Sequence, residues 1–371
     1  MKYYIISGEA SGDLHGSNLI KELNKLDSEI DVRFWGGDLM QEAGGTLVKH
    51  YKELAFMGFT QVLMNIRTIF KNITFCKQDI LDYKPDVLIL IDYPGFNLRI
   101  AEFAKQNNIK VFYYISPQIW AWKQSRVHKI KKFVDEMFVI LPFEQEFYKK
   151  FDVEVDFVGH PLLDAIEQNM EIPFNEEDFR KQHNLSDKPI VSLLAGSRKQ
   201  EVSAKLPVML SVVKHFPDYQ FILAGAPSLG KEYYNTFLQN TDVNLILNKT
   251  YDLLKISDAA LVTSGTATLE TSLFEVPEVV CYRTNEIQYR LAKNLVKIKY
   301  ISLVNLIMDD EIIKELIQHD LTENNLKQEL NKLLFDTEYK SSLKSNYKKL
   351  KEKLGGVGAS KRVAALIYSK M

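Results

Sequence analysis

Residues 3–16 read YYIISGEASGDLHG and pass from an apolar, strand-like run into three glycines spaced four apart. A glycine-rich loop between a strand and a helix is where an α/β protein commonly holds an anion, because backbone N–H groups and the helix dipole point there. The spacing of Gly8, Gly12 and Gly16 matches neither the P-loop nor the dinucleotide fingerprint. The stretch therefore predicts an α/β fold with a loop over residues 8–16 that serves neither an ATPase nor a dehydrogenase.

The alternation of strand-like runs and helical patterns continues through both halves of the chain. Runs such as KYYIIS, VLILID and KVFYYIS alternate with helical spacing, which is typical of a parallel sheet, and the pattern restarts at IVSLLAGS (190–197). We expect an α/β protein of two Rossmann-like, doubly wound parallel-sheet domains that face a cleft, with ligands at the carboxyl ends of the strands. The expected domains are 1–165, 166–345 and a C-terminal helix, 346–371, which packs on the first domain or on a partner subunit. From about residue 310 onward the chain is expected to be largely helical.

Composition and charge exclude several classes of protein. Of the 371 residues, 46% are hydrophobic and 26% are charged, which fits compact domains. The formal net charge of −1 argues against a nucleic-acid binder, which would carry an excess of Lys and Arg. Cys76 and Cys281 lie far apart without metal-ligand spacing, which favours a reducing compartment. No secretory leader and no apolar run of the ~20 residues that span a bilayer is visible, so we expect a protein of the cytoplasm or of a membrane surface.

A candidate anion site follows a strand in the second half, in LLAGSRKQEV (193–202). Gly196 allows close backbone approach, Ser197 is placed to cap the next helix, and Arg198 offers a planar cation that suits phosphate oxygens. An ordinary strand-to-helix turn with a surface arginine explains the same residues.

A second candidate site lies in SGTATLE (264–270). Gly265 and Thr266 are expected to begin a helix whose N–H groups and dipole favour a diphosphate, and Glu270 falls where a carboxylate can accept hydrogen bonds from a ribose. The alternative is a capped helix with Glu270 on its surface. Arg198 favours the nucleotide interpretation, because an arginine and a helix N-terminus can stabilise a departing nucleoside diphosphate. We expect no metal ion, since DVEVD (152–156) is more typical of a solvated strand than of a metal site.

The first half offers a candidate general base. IDYPGFN (91–97) places Asp92 at the carboxyl end of a strand, where a carboxylate can take a proton from a sugar hydroxyl. A turn or N-cap aspartate is the alternative, and Asp13 and His15 are rival candidates for the base. The two tryptophans of ISPQIWAW (115–122) suit either the core or the binding of sugars and acyl chains.

The stretch FMGFTQVLMNIRTIFKNI (56–73) has apolar side chains at helical spacing. Core packing is the ordinary explanation, but the width of the stripe and its basic neighbours also fit a helix in a membrane interface. The candidate membrane contacts are Met57, Phe59, Val62, Leu63, Ile66 and Phe70. The basic segment WKQSRVHKIKK (122–132) is either a solvated helix face or a site of attraction to anionic lipid or phosphate.

Together these motifs resemble those of the lipid-A-disaccharide synthase family. The resemblance covers nearly the whole chain and runs through SGEASGDLHG, IDYPGFN, YYISPQIWAW, VGHPLLD, AGSR, SGTATLE and KIKYISLVNLI. It implies a two-domain GT-B glycosyltransferase that joins UDP-2,3-diacylglucosamine to 2,3-diacylglucosamine 1-phosphate with inversion, forming the β-1,6-linked lipid A disaccharide and UDP. It also implies peripheral attachment to the inner membrane, a homodimer, and no cofactor.

The resemblance also implies roles for individual residues. Asp92 would be the base, and Arg198 would stabilise the leaving group. The other implied substrate contacts are Glu9 and Ser11 on the acceptor side and Ser197, Gly265, Thr266, Glu270, Lys297 and Asn305 on the donor side. The 8–16 loop would then hold the acylated sugars. Gly95 stands where many members carry a second Asp, so a mechanism with two carboxylates in that turn is not expected here.

Two other functions fit the same sequence. A UDP-N-acetylglucosamine 2-epimerase has the same fold and needs no lipid substrate. A two-lobed sugar-binding protein would have no catalytic activity.

Overall fold

The computed structural model describes residues 1–54, 66–226, 228–296 and 298–371. The chain divides into two compact units. The first unit is formed by residues 1–164 together with residues 354–371, and the second unit by residues 165–353.

The first unit contains one sheet of seven described strands, all paired in parallel. The strands are β1 (Lys2–Ser7), β2 (Asp31–Gly36), β3 (Thr46–His50), β4 (Val87–Ile91), β5 (Lys110–Tyr114), β6 (Glu136–Val139) and β7 (Asp156–Phe157). The helices before the boundary are α1 (Ala10–Leu26), α2 (Asp38–Ala43), α3 (Ile66–Tyr83), α4 (Pro94–Gln106), α5 (Val127–Phe133) and α6 (Phe143–Lys149). Helix α7 (Leu162–Met170) spans the boundary between the two units. The strand order is β3-β2-β1-β4-β5-β6-β7, which is doubly wound.

The second unit repeats this architecture with six described strands, again all parallel. The strands are β8 (Ile190–Leu194), β9 (Gln220–Gly225), β10 (Asn244–Leu247), β11 (Ala259–Thr263), β12 (Glu278–Tyr282) and β13 (Lys314–Ile317). The helices are α8 (Glu176–Gln182), α9 (Lys199–Ser211), α10 (Lys231–Leu238), α11 (Thr250–Leu254), α12 (Thr266–Leu273), α13 (Glu286–Leu295), α14 (Leu303–Met308), α15 (Glu323–Phe335) and α16 (Thr337–Lys353). The strand order is β10-β9-β8-β11-β12-β13.

In each sheet the strand order reverses at one point, between β1 and β4 in the first unit and between β8 and β11 in the second. Of the strands beside these points, β4, β8 and β11 are buried along their whole length and β1 is buried except at Lys2, which explains apolar runs such as VLILI in β4. Open α/β sheets bind ligands outside the carboxyl ends of the strands at such a point. The prediction of two doubly wound parallel sheets is therefore confirmed, and each sheet has one place that suits a ligand.

The prediction of a loop over residues 8–16 is wrong for most of that stretch, because α1 begins at Ala10. A Cβ atom added to Gly12 would lie 2.8 Å from Ser7 Cβ, and one added to Gly16 would lie 2.6 Å from Met40 Sδ. The two glycines therefore allow α1 to pack closely on β1 and α2, and they do not line an anion-binding loop.

Two edge strands, β3 and β13, were not predicted. Strand β13 lies beyond residue 310, where a largely helical chain was expected, and it pairs with β12. Its sequence KELI is half polar and only partly buried, so it lacks the continuous apolar run by which the central strands are recognised.

A last helix, α17 (Ala359–Ser369), belongs to the first unit. The Asp164 carboxylate accepts hydrogen bonds from the backbone N–H groups of Gly358, Ala359 and Ser360, at 2.6, 3.3 and 2.9 Å. These N–H groups have no partner within the helix, so a carboxylate at this end is stabilising. At the other end, Lys110 Nζ donates to the backbone carbonyl of Lys370 at 2.7 Å. The returning segment is thus fixed at both of its ends.

Candidate functional site

The second unit has a cavity of about 370 Å³ beside the carboxyl ends of β8 and β11, where its strand order reverses. The turn after β8 and the first two turns of α12 supply most of its polar lining. The predicted donor-side residues that line it are Ser197, Arg198, Gly265, Thr266 and Glu270. Two motifs that lie far apart in the sequence are therefore brought together around one space.

Two glycines shape the backbone of this cavity. Gly196 has φ of +111° and Gly265 has φ of +143°, a region that favours glycine. A Cβ atom on Gly265 would meet nothing within 4 Å, so the glycine is needed there for its backbone conformation and not for lack of space. Gly265 is also the N-cap residue of α12, and it has no side chain with which to cap the helix. The start of α12 consequently presents backbone N–H groups and the positive end of a helix dipole to the cavity.

Glu201 holds the turn that carries Arg198. Its Oε2 accepts a hydrogen bond from the Ser197 backbone N–H at 3.3 Å, and its Oε1 accepts one from Arg198 Nη1 at 3.2 Å. The prediction that Ser197 caps the helix is wrong, because α9 begins at Lys199 and Arg198 is the N-cap residue. We did not identify Glu201 from the sequence, although a glutamate three residues after an N-cap is a known signal of this kind of turn.

Glu270 lies in the second turn of α12 and is half-buried in the cavity lining, so the alternative of an exposed surface residue does not hold. The Tyr251 hydroxyl donates a hydrogen bond to Glu270 Oε1 at 2.9 Å. Burial raises the pKa of Glu270, and the Tyr251 hydrogen bond acts in the opposite direction. Tyr251 was not identified from the sequence.

In the first unit, Asp92 follows β4 at the point where the strand order reverses. Asp92 and Tyr93 have φ of +44° and +48°, and Tyr93 is the N-cap residue of α4, so the alternative of an N-cap aspartate does not hold. Asn97 Nδ2 donates to the Asp92 carbonyl at 2.8 Å and fixes the turn. Burial raises the pKa of Asp92 to about 7, the negative charge of Glu9 adds to the increase, and the Tyr93 backbone N–H opposes it. A carboxylate with this pKa suits a general base at neutral pH.

Asp13 and His15, the two rival candidates for the general base, lie in environments that differ from that of Asp92. The buried Asp13 carboxylate accepts hydrogen bonds from the backbone N–H groups of Gly37, Leu39 and Met40, at 2.7, 3.2 and 3.1 Å, and thereby caps α2. Burial lowers the pKa of His15 to about 4. Asp13 therefore has a structural role, and His15 is neutral at physiological pH.

The remaining predicted substrate contacts are placed as follows. Glu9 is the half-buried N-cap residue of α1, and Ser11 is exposed in its first turn. Asn305 is fully buried and is not in the cavity lining: its Nδ2 donates to the Ile313 carbonyl at 2.8 Å, and its Oδ1 accepts from the backbone N–H of Ile312 at 2.8 Å. The Asn305 amide thus binds the loop that follows α14. Lys297 lies outside the described residues.

The predicted apolar stripe is described only from residue 66 onward, so Met57, Phe59, Val62 and Leu63 lie outside the described residues. Within α3, Ile66 is 45% exposed and Phe70 is 54% exposed, whereas Ile73 is buried. The Arg99 guanidinium lies 5.7 Å from the centre of the Phe70 ring. Because Ile66 and Phe70 are exposed, packing in the core does not explain why these two positions are apolar.

The paired tryptophans are divided between core and surface. Trp120 is buried, and Trp122 is 49% exposed with Lys123 Nζ 4.4 Å from its ring centre. In the described part of the chain, no helix is both long enough and apolar enough to cross a bilayer.

The fold places the protein in the GT-B class of two-domain, Rossmann-like proteins. A similar solved structure is the UDP-GlcNAc 2-epimerase of Neisseria meningitidis, with a TM-score of 0.70, 15% sequence identity and 100% coverage of both chains. Another is a calicheamicin glycosyltransferase, with a TM-score of 0.62, 13% identity, and coverage of 99% of this chain and 97% of the other. At these identities the likeness shows the fold alone.

The chain belongs to the lipid-A-disaccharide synthetase family, whose sequence model matches residues 3–367. The lipid-A-disaccharide synthase of Trichlorobacter lovleyi is 38% identical over an alignment 371 residues long. The alignment covers 98% of this chain and 96% of that protein. The resemblance found in the motifs is confirmed, and the protein is a glycosyltransferase that forms a lipid A disaccharide. This finding sets aside the epimerase and the non-catalytic binding protein.

Proposed function

We propose that the protein transfers the sugar of UDP-2,3-diacylglucosamine to the 6-hydroxyl group of 2,3-diacylglucosamine 1-phosphate. The products are the β-1,6-linked disaccharide 1-phosphate and UDP. The bond between the anomeric carbon and the UDP oxygen breaks as the bond to the acceptor oxygen forms, and this single displacement inverts the configuration. The observation that carries the proposal is the cavity of the second unit, where Arg198, Glu270 and the start of α12 surround one space.

The donor's UDP group is assigned to this cavity. Its diphosphate binds at the start of α12, because the N–H groups of that turn and the helix dipole both favour an anion. The Arg198 guanidinium, held by Glu201, stabilises the charge that develops on the leaving group. Glu270 accepts hydrogen bonds from the ribose hydroxyls.

The acceptor sugar is assigned to the first unit. Asp92 takes the proton of the 6-hydroxyl group, which makes the acceptor oxygen a better nucleophile. Its pKa of about 7 allows it to be a carboxylate at neutral pH and to accept a proton readily. Glu9 and Ser11 bind the acceptor on the same side.

Both substrates carry acyl chains, so we also propose that the protein works on the inner membrane as a peripheral homodimer. The exposed Ile66 and Phe70 of α3 support the membrane contact, since an apolar helix face beside basic residues binds an interface. Vesicle sedimentation tests the contact, and light scattering of the purified protein tests the dimer.

The decisive experiment supplies both acylated sugars, one of them radiolabelled, in mixed micelles. We expect equal amounts of UDP and disaccharide, with a β linkage by NMR. Asp92→Asn serves as the matched inactive control. Turnover of UDP-N-acetylglucosamine in place of the acylated donor, or an α-linked product, would contradict the proposal.

A further inference from the structure

Lys205 is a buried cation next to the cavity of the second unit. It lies on α9 and is 2% exposed, and its Nζ donates a hydrogen bond to Thr263 Oγ1. Thr263 is the last residue of β11 and is itself part of the cavity lining. The ammonium group is therefore separated from the cavity by one side chain.

Among the described residues, no close ion pair balances the charge of Lys205. Within the described ranges of the chain, no carboxylate lies within 4.0 Å of Lys205 Nζ, and its hydrogen-bond partner is a neutral hydroxyl. The charged and titratable groups that face it are Glu201 on its own helix, Arg198 at the N-cap of that helix, and Cys281 and Tyr282 on β12. Glu201 already binds Arg198 and the Ser197 backbone. Burial lowers the pKa of Lys205, as expected for a cation removed from water, and the negative charge of Glu201 opposes this shift only in part.

A buried cation without a close ion pair destabilises a fold, so the presence of Lys205 needs a reason. The neighbouring cavity supplies one, because the proposed occupant is a diphosphate. We propose that Lys205 is a positioning residue for the diphosphate. Its positive charge attracts the diphosphate into the cavity, across Thr263 and towards the start of α12. This inference rests on the proposed function, since it takes UDP as the ligand of this cavity.

The other explanation is that Lys205 ties α9 to β11 and has no part in binding. The two explanations predict opposite effects of removing the charge. If Lys205 serves the diphosphate, Lys205→Met keeps most of the side-chain volume and leaves the stability of the empty protein unchanged or increased. If Lys205 is a structural tie, the same variant unfolds at lower temperature and binds UDP normally.

The test is calorimetric titration of the full-length protein with UDP, together with uridine, which lacks phosphate. We expect Lys205→Met to bind UDP roughly 10-fold more weakly or worse, as expected for the loss of one nearby charge, and to bind uridine as the wild type does. The matched control is Lys214→Met, which removes a cation that is 65% exposed and paired with Glu323 in the same unit. This control should bind UDP with unchanged affinity.

The pH dependence supplies a readout that a structural tie would not change. Because the diphosphate favours the charged ammonium, UDP affinity of the wild type should fall as the pH rises through the lowered pKa of Lys205, and Lys205→Met should lack that fall. Unchanged UDP affinity in Lys205→Met, or equal losses for UDP and uridine, would overturn the inference. A wild-type protein that binds no UDP would instead overturn the proposed function, and the inference with it.

Discussion

The Tyr251 hydroxyl donates a hydrogen bond of 2.9 Å to Glu270 Oε1, so an aromatic side chain of α11 fixes a carboxylate of α12. The Tyr251 ring in turn packs against Phe274, with 5.2 Å between the ring centres. The Glu270 carboxylate is therefore held in the cavity before any ligand arrives. Such preorganised acceptors bind with a smaller loss of conformational freedom than mobile ones.

We expect Glu270→Gln and Tyr251→Phe to raise KM for the UDP-sugar donor. The first change removes the charge that accepts the ribose hydrogen bonds, and we expect an increase of roughly 10-fold or more, the usual effect of losing a hydrogen bond to a charged group. The second change removes only the hydroxyl that orients the carboxylate, so its effect should be smaller. Initial rates at varied donor concentration measure both.

The matched control for Tyr251→Phe is Tyr219→Phe, which removes a hydroxyl from a tyrosine whose ring packs on Phe335 in the same unit. Its KM should equal that of the wild type. If Glu270→Gln also leaves KM unchanged, the assignment of the ribose to this carboxylate is wrong.

We expect Asp92→Asn to lower turnover by about 100-fold or more, the size of effect seen when a general base is lost. The wild-type kcat/KM should rise with pH around a midpoint near the Asp92 pKa of about 7, because the carboxylate form is the base. The asparagine variant should show no such midpoint. A pH–rate profile between mildly acidic and mildly alkaline conditions measures this.

Glu9→Gln is the companion variant for that profile. Since the negative charge of Glu9 raises the pKa of Asp92, its removal should lower that pKa and move the midpoint to lower pH. An unchanged midpoint in this variant, or an unchanged profile in Asp92→Asn, would assign the base to another group.

We expect Glu278→Met to stabilise the protein by about 1–3 kcal/mol, because a buried ionisable group without a partner costs free energy of that order. Glu278 is fully buried in β12, and neither of its carboxyl oxygens has a hydrogen-bond partner among the described residues. Burial raises its pKa well above the usual range. The folded state therefore favours the protonated form.

The raised pKa of Glu278 determines how the stability of the protein changes with pH. The folding free energy is most favourable with Glu278 protonated, and the wild type should lose stability as the pH rises from the unfolded-state pKa of about 4.3 toward the folded-state value. Denaturant unfolding at several pH values should show this loss in the wild type and a smaller one in Glu278→Met. Equal pH dependence in both proteins would show that Glu278 has a partner in solution.

We expect the double variant Ile66→Ser, Phe70→Ser to bind anionic vesicles more weakly than the wild type, with an unchanged melting temperature. Both side chains are about half exposed, so the fold depends little on them, whereas membrane affinity follows the apolar area that is inserted. Ile287→Ser, at a site that is 70% exposed in the second unit, is the matched control and should sediment with vesicles as the wild type does. A fall in melting temperature would show that this face is core.

The central strands could be predicted from the sequence, because they are buried on both faces and consist almost wholly of apolar residues. Two of the four edge strands of the described sheets, β3 and β13, could not. In β3 the only fully apolar residues are Leu47 and Val48, and no residue of the strand is fully buried, so its pattern resembles that of a loop. The roles of Gly12 and Gly16 in α1 were predicted wrongly for a related reason. The sequence shows that these residues lack a side chain, but it does not show that atoms of Ser7 and Met40 occupy the space where one would lie.

The candidate site shows the same division. Arg198 lies in a strand-to-helix turn and Glu270 lies in the helix that follows another such turn, and a sequence motif can reveal both. Glu201 has a local signal, but Tyr251 and Lys205 reach their partners only through the packing of α11 and α9, so nothing in the neighbouring sequence indicates their contacts. Asn305 shows the opposite difficulty. It lies within a matching motif and was predicted to bind substrate, but its amide binds the loop after α14.

The closure of the first unit by residues 354–371 has a consequence for synthesis of the chain. On the ribosome, the second unit emerges complete while the first still lacks α17, and the buried faces that α17 covers stay open to chaperones and proteases until residues 354–371 have been synthesised. Asp164 captures the helix only then. A chain truncated before residue 354 should therefore be degraded and should not be partly active.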